Sequence, residues 1–255
     1  MSKSPARNRW KLAQDYQLAN QLQKKSILAG TDLKSFYLAR YSCTMALFGM
    51  VSKFKEITNT SKILEVGSGP HGVSFYYPQG IKVALDPLAV FYRQEFAFIQ
   101  DKANVSLVQG RGENLPFPAK SFDVVVSDNV LDHTANPQKV LSEIYAVLKD
   151  DGLLLFTVNV HHWFYRVSCA VFRFLFTLKI VLNFPNFKTH TFFFTPAKIN
   201  RLIRRNGFKI LSSEIPIHTA LNKLFAAVQI FFKPFRHVLS TFVCSKQMDE
   251  KQSPH

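Results

Sequence analysis

The sequence predicts an α/β protein built on a doubly wound, mostly parallel sheet with helices on both faces. Two observations carry this prediction. From residue 62 onward, short apolar runs rich in β-branched residues alternate with helical stretches, which is the pattern of buried parallel strands and their crossover helices. A glycine-rich turn, residues 67–72, follows the first of these runs, where doubly wound sheets bind their ligands.

Seven apolar runs are predicted as strands: residues 63–66, 81–85, 105–108, 122–126, 153–158, 208–211 and 241–244. Two helices among them are bounded by clear signals. Pro137 begins one segment, which Gly152 ends, and Pro196 begins another, which Gly207 ends. Strand and helix therefore alternate as a parallel sheet requires.

The chain divides into three predicted regions. Apolar residues at three-to-four spacing predict two helices, over 8–28 and 33–56, and these make up an N-terminal helical cap over residues 1–60. Residues 61–160 are the predicted sheet core. Residues 161–255 are predicted to form a helical, aromatic lid together with the remaining strands of the same domain.

Charge is distributed unevenly along the 255 residues. The net charge is +7 over residues 1–60, −3 over 61–160 and +11 over 161–255, which gives +15 in all. Such asymmetry suggests an anionic partner: a membrane surface, a nucleic acid or an acidic substrate. The alternative is that the basic faces are merely solvated.

Cysteine usage and the N-terminus point to the cytoplasm. Cys43, Cys169 and Cys244 lie far apart, and no Cys/His cluster has the spacing of metal ligands. We therefore expect free thiols in a reducing compartment and no bound metal. The chain begins with polar and basic residues and lacks the apolar run of a signal peptide.

Two segments of the C-terminal region are apolar and aromatic, and residues 161–255 contain 15 of the 25 phenylalanines. The segment His162–Leu182 holds three cations, which oppose insertion across a bilayer. The segment Leu221–Leu239 has a helical apolar face but contains Pro234. Two interpretations stay open, a lid packed on the core and an interfacial contact with an anionic membrane surface.

The turn after the first predicted strand carries the chemistry. Residues 65–72 are EVGSGPHG, and the glycines permit a tight turn and close approach of a ligand. The helix that follows is expected to offer free N–H groups to an anion. Asp86 ends the next strand, 19 residues after Gly67, where an acid accepts both ribose hydroxyls of a nucleotide-like cofactor. Glu65 would repel a pyrophosphate but suits a cationic cofactor, which favours S-adenosylmethionine (SAM) over a dinucleotide.

These residues resemble the class I SAM-dependent methyltransferases, and most closely the group known as methyltransferase type 11. The similar segments, in the family's order, are ILEVGSGPHG (63–72), VALDPL (83–88), GENLPF (112–117), FDVVVSDNVLDH (122–133) and LKDDGLL (148–154). The Asn206–Phe208 turn extends the resemblance to about residue 215. The resemblance implies a Rossmann-like sheet of seven strands, with SAM as the cofactor.

It also implies which residues bind the cofactor. Glu65, the turn and Asp86 would line its methionine and ribose parts, with Leu88 packing near adenine. The residues expected to bind SAM are Glu65, Gly67, Ser68, Gly69, Asp86, Pro87, Leu88, Gly112, Glu113, Ser127, Asp128 and Asn129.

Candidates for a catalytic base are histidines near the carboxyl ends of strands. Methyl transfer from SAM is an in-line displacement, so a base is needed only when the acceptor must lose a proton. His133 and His161 are the first candidates, and His162 and His190 follow. His71 lies in the glycine turn, beside the expected methionine end of SAM.

The expected function is methyl transfer from SAM to a small-molecule or lipid-like acceptor of glycan, lipid or secondary metabolism. Charge alone favours the second hypothesis, an RNA or protein methyltransferase. The Asn/Asp-Pro-Pro-aromatic motif that serves flipped bases is missing after the fourth strand, so a nucleic-acid substrate is not expected. The third hypothesis is a non-catalytic protein that kept the fold, against which the intact Glu65, turn and Asp86 argue.

Overall fold

A computed structural model of the chain describes residues 33–96, 104–161, 192, 194–214 and 237–247, together with a few positions between 15 and 23. The predicted helix over 8–28 falls mostly outside these residues. So do most of the two aromatic segments and the candidate bases His162 and His190. The predicted division into three regions stays a prediction.

A seven-stranded sheet occupies the centre, in the order β3-β2-β1-β4-β5-β7-β6. The strands are β1 (Lys62–Val66), β2 (Ile81–Asp86), β3 (Val105–Gln109), β4 (Phe122–Asp128), β5 (Leu148–His161), β6 (Phe208–Glu214) and β7 (His237–Lys246). Strands β1 to β5 pair in parallel, and β7 is antiparallel to both of its neighbours. The predicted doubly wound, mostly parallel sheet is confirmed.

Four helices of the described chain flank the sheet. They are α1 (Leu33–Ser52), α2 (Ala89–Glu95), α3 (Pro137–Val147) and α4 (Pro196–Arg205). The caps expected for α3 and α4 are present. The Asn136 side chain accepts a hydrogen bond from the Lys139 N–H, and the Thr195 hydroxyl accepts one from the Lys198 N–H. Both helices therefore begin where the sequence predicts.

Alternate residues of the central strands face two apolar layers. Leu64 and Val125 pack in the layer that contains α3 and α4. Ile63 and Val124 pack in the opposite layer, with Phe48 of α1. All five side chains are fully buried. Successive side chains of a strand point to opposite faces of the sheet. The layer that a polar residue of these strands faces can therefore be read from its position relative to these apolar residues.

Helix α1 lies along the segment that follows β1, through residues spaced four or eight apart. The Phe36 ring packs edge-on against His71, with centroids 4.8 Å apart. The Thr44 hydroxyl donates to the Val73 carbonyl at 2.9 Å, and Phe48 stacks on Tyr77. One stripe of α1 thus supports the glycine turn from outside the sheet.

Some predicted boundaries are wrong. Helix α1 ends at Ser52 and not at residue 56. Strand β5 begins at Leu148 and not at residue 153, because Leu148 pairs with Phe122 at the start of β4, across a register irregularity that precedes the pairing of Leu153 with Val124. Residues 237–239, predicted as the end of a helical face, belong to β7, where they pair with residues 159–161 of β5. Short apolar runs are ambiguous in sequence, and strand pairing decides them here.

Within the described ranges, no helix combines the length and apolarity that crossing a bilayer requires.

Candidate functional site

The turn after β1 is pinned to the end of β2. The Gly67 N–H donates to the Leu85 carbonyl at 2.7 Å. Gly67 and Gly69 have φ angles of 74° and 58°, in the left-handed region that favours glycine. A Cβ on Gly67 would lie 2.6 Å from the Val130 side chain, whereas one on Gly69 would meet nothing within 4 Å. A side chain at position 67 is therefore disfavoured both by the positive φ and by the clash with Val130.

Asp86 fixes the same turn from the end of β2. One carboxylate oxygen accepts the Gly69 N–H at 2.9 Å, and the other accepts the Leu88 N–H at 2.8 Å. Burial raises the pKa of Asp86 above its usual range, and the two N–H groups act in the opposite direction. Each oxygen keeps a lone pair, so the carboxylate can still accept hydroxyl donors from a ligand.

Glu65 binds the chain on the far side of the turn. Its oxygens accept the N–H groups of Val73 and Ser74, both at 2.9 Å, and the Ser74 hydroxyl at 2.5 Å. The side chain is 1% exposed. A Cβ on Gly72 would lie 2.5 Å from a Glu65 oxygen, so glycine is needed there for space and not for its φ angle.

This arrangement corrects one expectation about the turn. The N–H groups of Val73 and Ser74, at the start of the short 3₁₀ helix Val73–Tyr76, donate to Glu65 and are not free for an anion. The physical reason is strand alternation, which aims Glu65 at the α1 layer beneath the turn. Desolvation, together with the nearby charge of Asp128, raises the pKa of Glu65 to about 7, although the hydrogen bonds from Ser74 and Val73 act in the opposite direction.

Gly112 and Glu113 form the opposite wall. A Cβ on Gly112 would approach Val66 to 3.0 Å, so the wall packs closely against the end of β1. A Glu113 carboxylate oxygen accepts the N–H groups of Ala135 and Asn136, at 2.8 and 3.3 Å. Glu113 thereby ties this wall to the segment that leads into α3.

The ends of β4 and β5 are joined by side chains. The Thr157 hydroxyl donates to Asp128 at 2.6 Å and accepts the Asn129 N–H at 2.9 Å. The Asn159 amide donates to the Asn129 side chain at 2.6 Å and to the buried Asp132 at 3.3 Å. Asn129 has a φ of 57°, which this network holds in place.

A cavity opens at the carboxyl ends of β1, β2 and β4 and encloses about 700 Å³ when the space open to solvent is counted. Its lining residues are Val66, Gly67, Gly69, Leu85, Asp86, Pro87, Leu88, Tyr92, Gly112, Glu113, Asn129, Val130, His133 and Thr134.

Most residues expected to bind the cofactor meet at this cavity. Those that line it are Gly67, Gly69, Asp86, Pro87, Leu88, Gly112, Glu113 and Asn129. Four others do not line it: Glu65, Ser68, Ser127 and Asp128. Glu65 and Asp128 follow Ile63 and Val126 on the α1 side of the sheet, and Ser127 is fully buried.

One of the two first candidate bases faces the cavity. His133 lines it, and its Nε2 lies 3.8 Å from an oxygen of the buried Asp132. His161 ends β5, where its backbone pairs with His237. In the described part of the chain, no group of three or more acidic, histidine or cysteine side chains is placed to hold a metal ion.

Sequence reasoning missed several members of the site. Tyr92, Val130 and Thr134 line the cavity, and Thr157 and Asn159 hold its wall. A signal for the last two exists, because they are polar residues at alternate positions of an otherwise apolar run. The other three carry no local pattern, since only the packing of the loops brings them to the cavity.

Residues 64–156 match a family described as a methyltransferase domain. Over 119 residues the chain is 34% identical to the thiol S-methyltransferase TMT1B of Rattus norvegicus, a match that covers 45% of this chain and 49% of that protein. Over 111 residues it is 28% identical to an uncharacterised methyltransferase, YcgJ of Bacillus subtilis, covering 42% and 44% of the two chains. The chain therefore spans only about half the length of these curated relatives.

Solved structures share the fold. The crystal structure of YcgJ aligns with a TM-score of 0.56 at 15% identity, over 80% of this chain and 99% of that one. Geranyl diphosphate C-methyltransferase from Streptomyces coelicolor, in complex with S-adenosylhomocysteine, aligns with a TM-score of 0.57 at 8% identity, over 79% and 78% of the two chains. At such identities the likeness concerns the fold alone.

Proposed function

The chain belongs to the class I SAM-dependent methyltransferase family, and from that premise we propose that it transfers a methyl group from SAM to a small-molecule or lipid-like acceptor. The observation that carries the proposal is the cavity at the ends of β1, β2 and β4, where the glycine turn and Asp86 meet. One curated relative, the rat thiol S-methyltransferase, acts on thiols.

The residues at the cavity fit SAM. Asp86 faces the cavity with a free lone pair on each oxygen, as two ribose hydroxyls require. Leu88 and Tyr92 offer apolar surface for the adenine ring, with Gly112 and Glu113 at its edge. Bound SAM supplies a methyl group on a positively charged sulfur, activated toward nucleophiles.

The protein itself orients SAM and the acceptor and excludes water from the site. The glycine turn and the Asn129 wall are held by hydrogen bonds before any ligand arrives, so little reorganisation is needed on binding. His133 faces the cavity and takes up a proton at its ring when the acceptor is a hydroxyl or thiol. His161, at the end of β5, is the second candidate for this step.

Calorimetry with SAM and with S-adenosylhomocysteine tests the cofactor site directly. Micromolar binding of both ligands is the expected result, and acceptors are then screened by transfer of a labelled methyl group, with lipid extracts first. Failure to bind either ligand would contradict the proposal and favour a non-catalytic protein. Methylation of RNA or protein, and of no small molecule, would establish the alternative substrate class.

His133→Ala and His161→Ala separate the two candidate bases once an acceptor is known. Replacement of the histidine that acts as the base should lower the turnover number by about 10²–10⁴-fold and leave cofactor affinity unchanged. Unchanged turnover in either variant removes that histidine from the mechanism.

A cytoplasmic location with peripheral membrane contact is also proposed, on the basis of the aromatic and basic composition of residues 161–255. Flotation with vesicles that contain anionic lipid tests it, with neutral vesicles as the control. Equal recovery with both kinds of vesicle, or with neither, contradicts an electrostatic membrane contact.

A further inference from the structure

The outer face of α4 carries cations and no acids. The helix buries Ile199 and Ile203 against the sheet. Arg201, Arg204 and Arg205 follow one another at three- and four-residue spacing on the other side of the helix, and all three are exposed to solvent. The chain has no acidic residue from position 152 to position 213, although nine lysines and arginines occur there. The positive charge of this face is therefore not balanced locally.

These arginines have no partner within the described part of the chain, where their side chains make no ion pair and no hydrogen bond. On the neighbouring helix α3, by contrast, Lys139 binds Glu143 one turn away at 2.7 Å. The helix dipole favours cations in the last turn, which accounts for Arg204 and Arg205 but not for Arg201. Cations three or four residues apart repel each other on a helix surface. An anionic partner that binds them together would remove this repulsion.

The same face continues into a groove between α3 and the end of α4. The residues that line the groove include no acid, and they are Asn136, Gln138, Lys139, Ser142, Tyr145, Arg205 and Asn206. The hydroxyl groups of Ser142 and Tyr145 make no hydrogen bond to other described residues. Together with the Arg205 guanidinium they offer donors to the oxygens of an anionic group. Because Arg205 belongs both to the outer face of α4 and to the groove, the two form one surface of donors.

Phosphate groups fit such donors, and bilayers and nucleic acids both present them. The chain next to α4 favours a bilayer. Residues 162–191, outside the described part, join the end of β5 to the strand bridge between Val160 and Phe194, just before α4. These 30 residues include eight aromatic and four basic residues and no acid, a composition typical of segments at anionic lipid interfaces. Helix α4 itself has no aromatic residue on which an unpaired base could stack.

We propose that the outer face of α4, with the adjoining groove, docks the protein on the phosphate groups of an anionic lipid bilayer. The proposal rests on the membrane contact proposed above and assigns that contact to a surface. The Phe192 N–H donates to the carbonyl of Asp132, the neighbour of His133 in the cavity lining, so α4 begins at the edge of the sheet where the cavity opens. A protein docked through α4 holds this cavity near the bilayer, as a lipid-like acceptor requires.

Binding to vesicles tests the surface. The double variant Arg201→Gln, Arg205→Gln is compared with the wild type on vesicles of equal parts phosphatidylcholine and phosphatidylglycerol, and on phosphatidylcholine alone. Each basic residue at an anionic surface contributes about fivefold in affinity, so partitioning onto the anionic vesicles should fall about 30-fold. The matched control is Lys53→Gln, Lys62→Gln, which removes the same charge from exposed lysines outside α4 and should stay within about threefold of the wild type.

The outcomes separate the surface from the membrane contact as such. Wild-type binding to anionic vesicles that the α4 variant retains, or that both double variants lose equally, overturns the docking through α4 and leaves the membrane contact standing. A wild type that does not prefer anionic vesicles overturns both. Binding of RNA in place of vesicles, lost in the α4 variant, identifies the partner as a nucleic acid and also overturns the proposal.

Calorimetry with S-adenosylhomocysteine on the same preparations shows that the variants are folded and reports on the methyltransferase function separately. Affinity within about threefold of the wild type is expected for the α4 variant, because neither arginine lines the cavity and a lost hydrogen bond to a charged group costs more than about tenfold. A larger loss in a variant whose thermal unfolding is unchanged would assign these arginines to the cofactor and overturn the docking role.

Discussion

The two ends of the site are built differently. At the ends of β1 and β2, the carboxylates of Glu65 and Asp86 are engaged by backbone N–H groups of the turn. At the ends of β4 and β5, side chains bind one another, as Asn159 does with Asn129. Among the residues that the structure describes, the buried Nε of Arg40 at this second end has no hydrogen-bond partner.

The difference assigns a separate task to each end. Backbone hydrogen bonds to a buried acid fix a loop whatever ligand arrives, which suits a cofactor that is the same in every reaction. Side-chain contacts can be exchanged by substitution without refolding the turn, which suits an acceptor that differs among enzymes of one fold. We therefore expect cofactor recognition to depend mainly on the first end, and differences between acceptors to depend mainly on the second.

The largest expected effect is at Gly67. Both Gly67 and Gly69 have positive φ, but only a Cβ on Gly67 would clash with Val130. We expect Gly67→Ala to lower the free energy of unfolding by more than about 3 kcal/mol, through backbone strain and overpacking. Gly69→Ala should cost about 1 kcal/mol, through strain alone. Urea unfolding measures both, and equal losses would contradict the role given to Val130.

Replacement of Asp86 tests the cofactor end. Asp86→Ala removes the acceptor for two N–H groups and for ribose, so affinity for S-adenosylhomocysteine should fall about 100-fold. Asp123→Ala is the matched control, because Asp123 accepts the Lys62 N–H at the opposite edge of the sheet. Calorimetry that finds the same affinity for both variants would show that Asp86 does not contact the ligand.

Glu65 predicts a pH dependence of stability. Its pKa of about 7 in the folded protein exceeds the ordinary value of 4.5, so the native state binds more protons than the unfolded state between these values. Its contribution to the free energy of unfolding is therefore present at low pH and declines by about 2 kcal/mol from pH 5 to pH 7.

Glu65→Gln cannot titrate, so the stability difference between wild type and variant should shrink by that amount over the same range. Urea unfolding at several pH values measures it. A difference that is constant with pH would mean that Glu65 keeps its charge throughout, and that the hydrogen bonds from Val73 and Ser74 outweigh burial.

The smallest expected effect contrasts two buried threonines. Thr157→Val breaks the link between Asp128 and Asn129, and should cost about 1–2 kcal/mol and lower S-adenosylhomocysteine affinity several-fold. Thr44→Val removes one of several supports of the turn and should cost about 1 kcal/mol with unchanged affinity. If Thr44→Val lowered S-adenosylhomocysteine affinity more than Thr157→Val, the turn would be less firmly held than the β4–β5 wall.

Much of the site follows from local pattern. The apolar runs predict the strands. Gly67 follows the first strand, and one crossover and a second strand separate it from Asp86, which places both residues at the same edge of the sheet. Glu65 was identified as a site residue by its charge, but its partners are N–H groups beneath the turn. Charge complementarity predicted a contact with the cofactor, whereas strand alternation directs the side chain to the other face.

The sequence by itself determined the sheet, its parallel order and the residues of the glycine turn, because these depend on periodicity and on short spacings. Only the tertiary structure decided where Arg40 lies. It lies 31 residues from His71 and 88 from Asp128, so no local pattern joins them. Packing of α1 over the strand ends brings the three together, and such distant contacts depend on the whole fold.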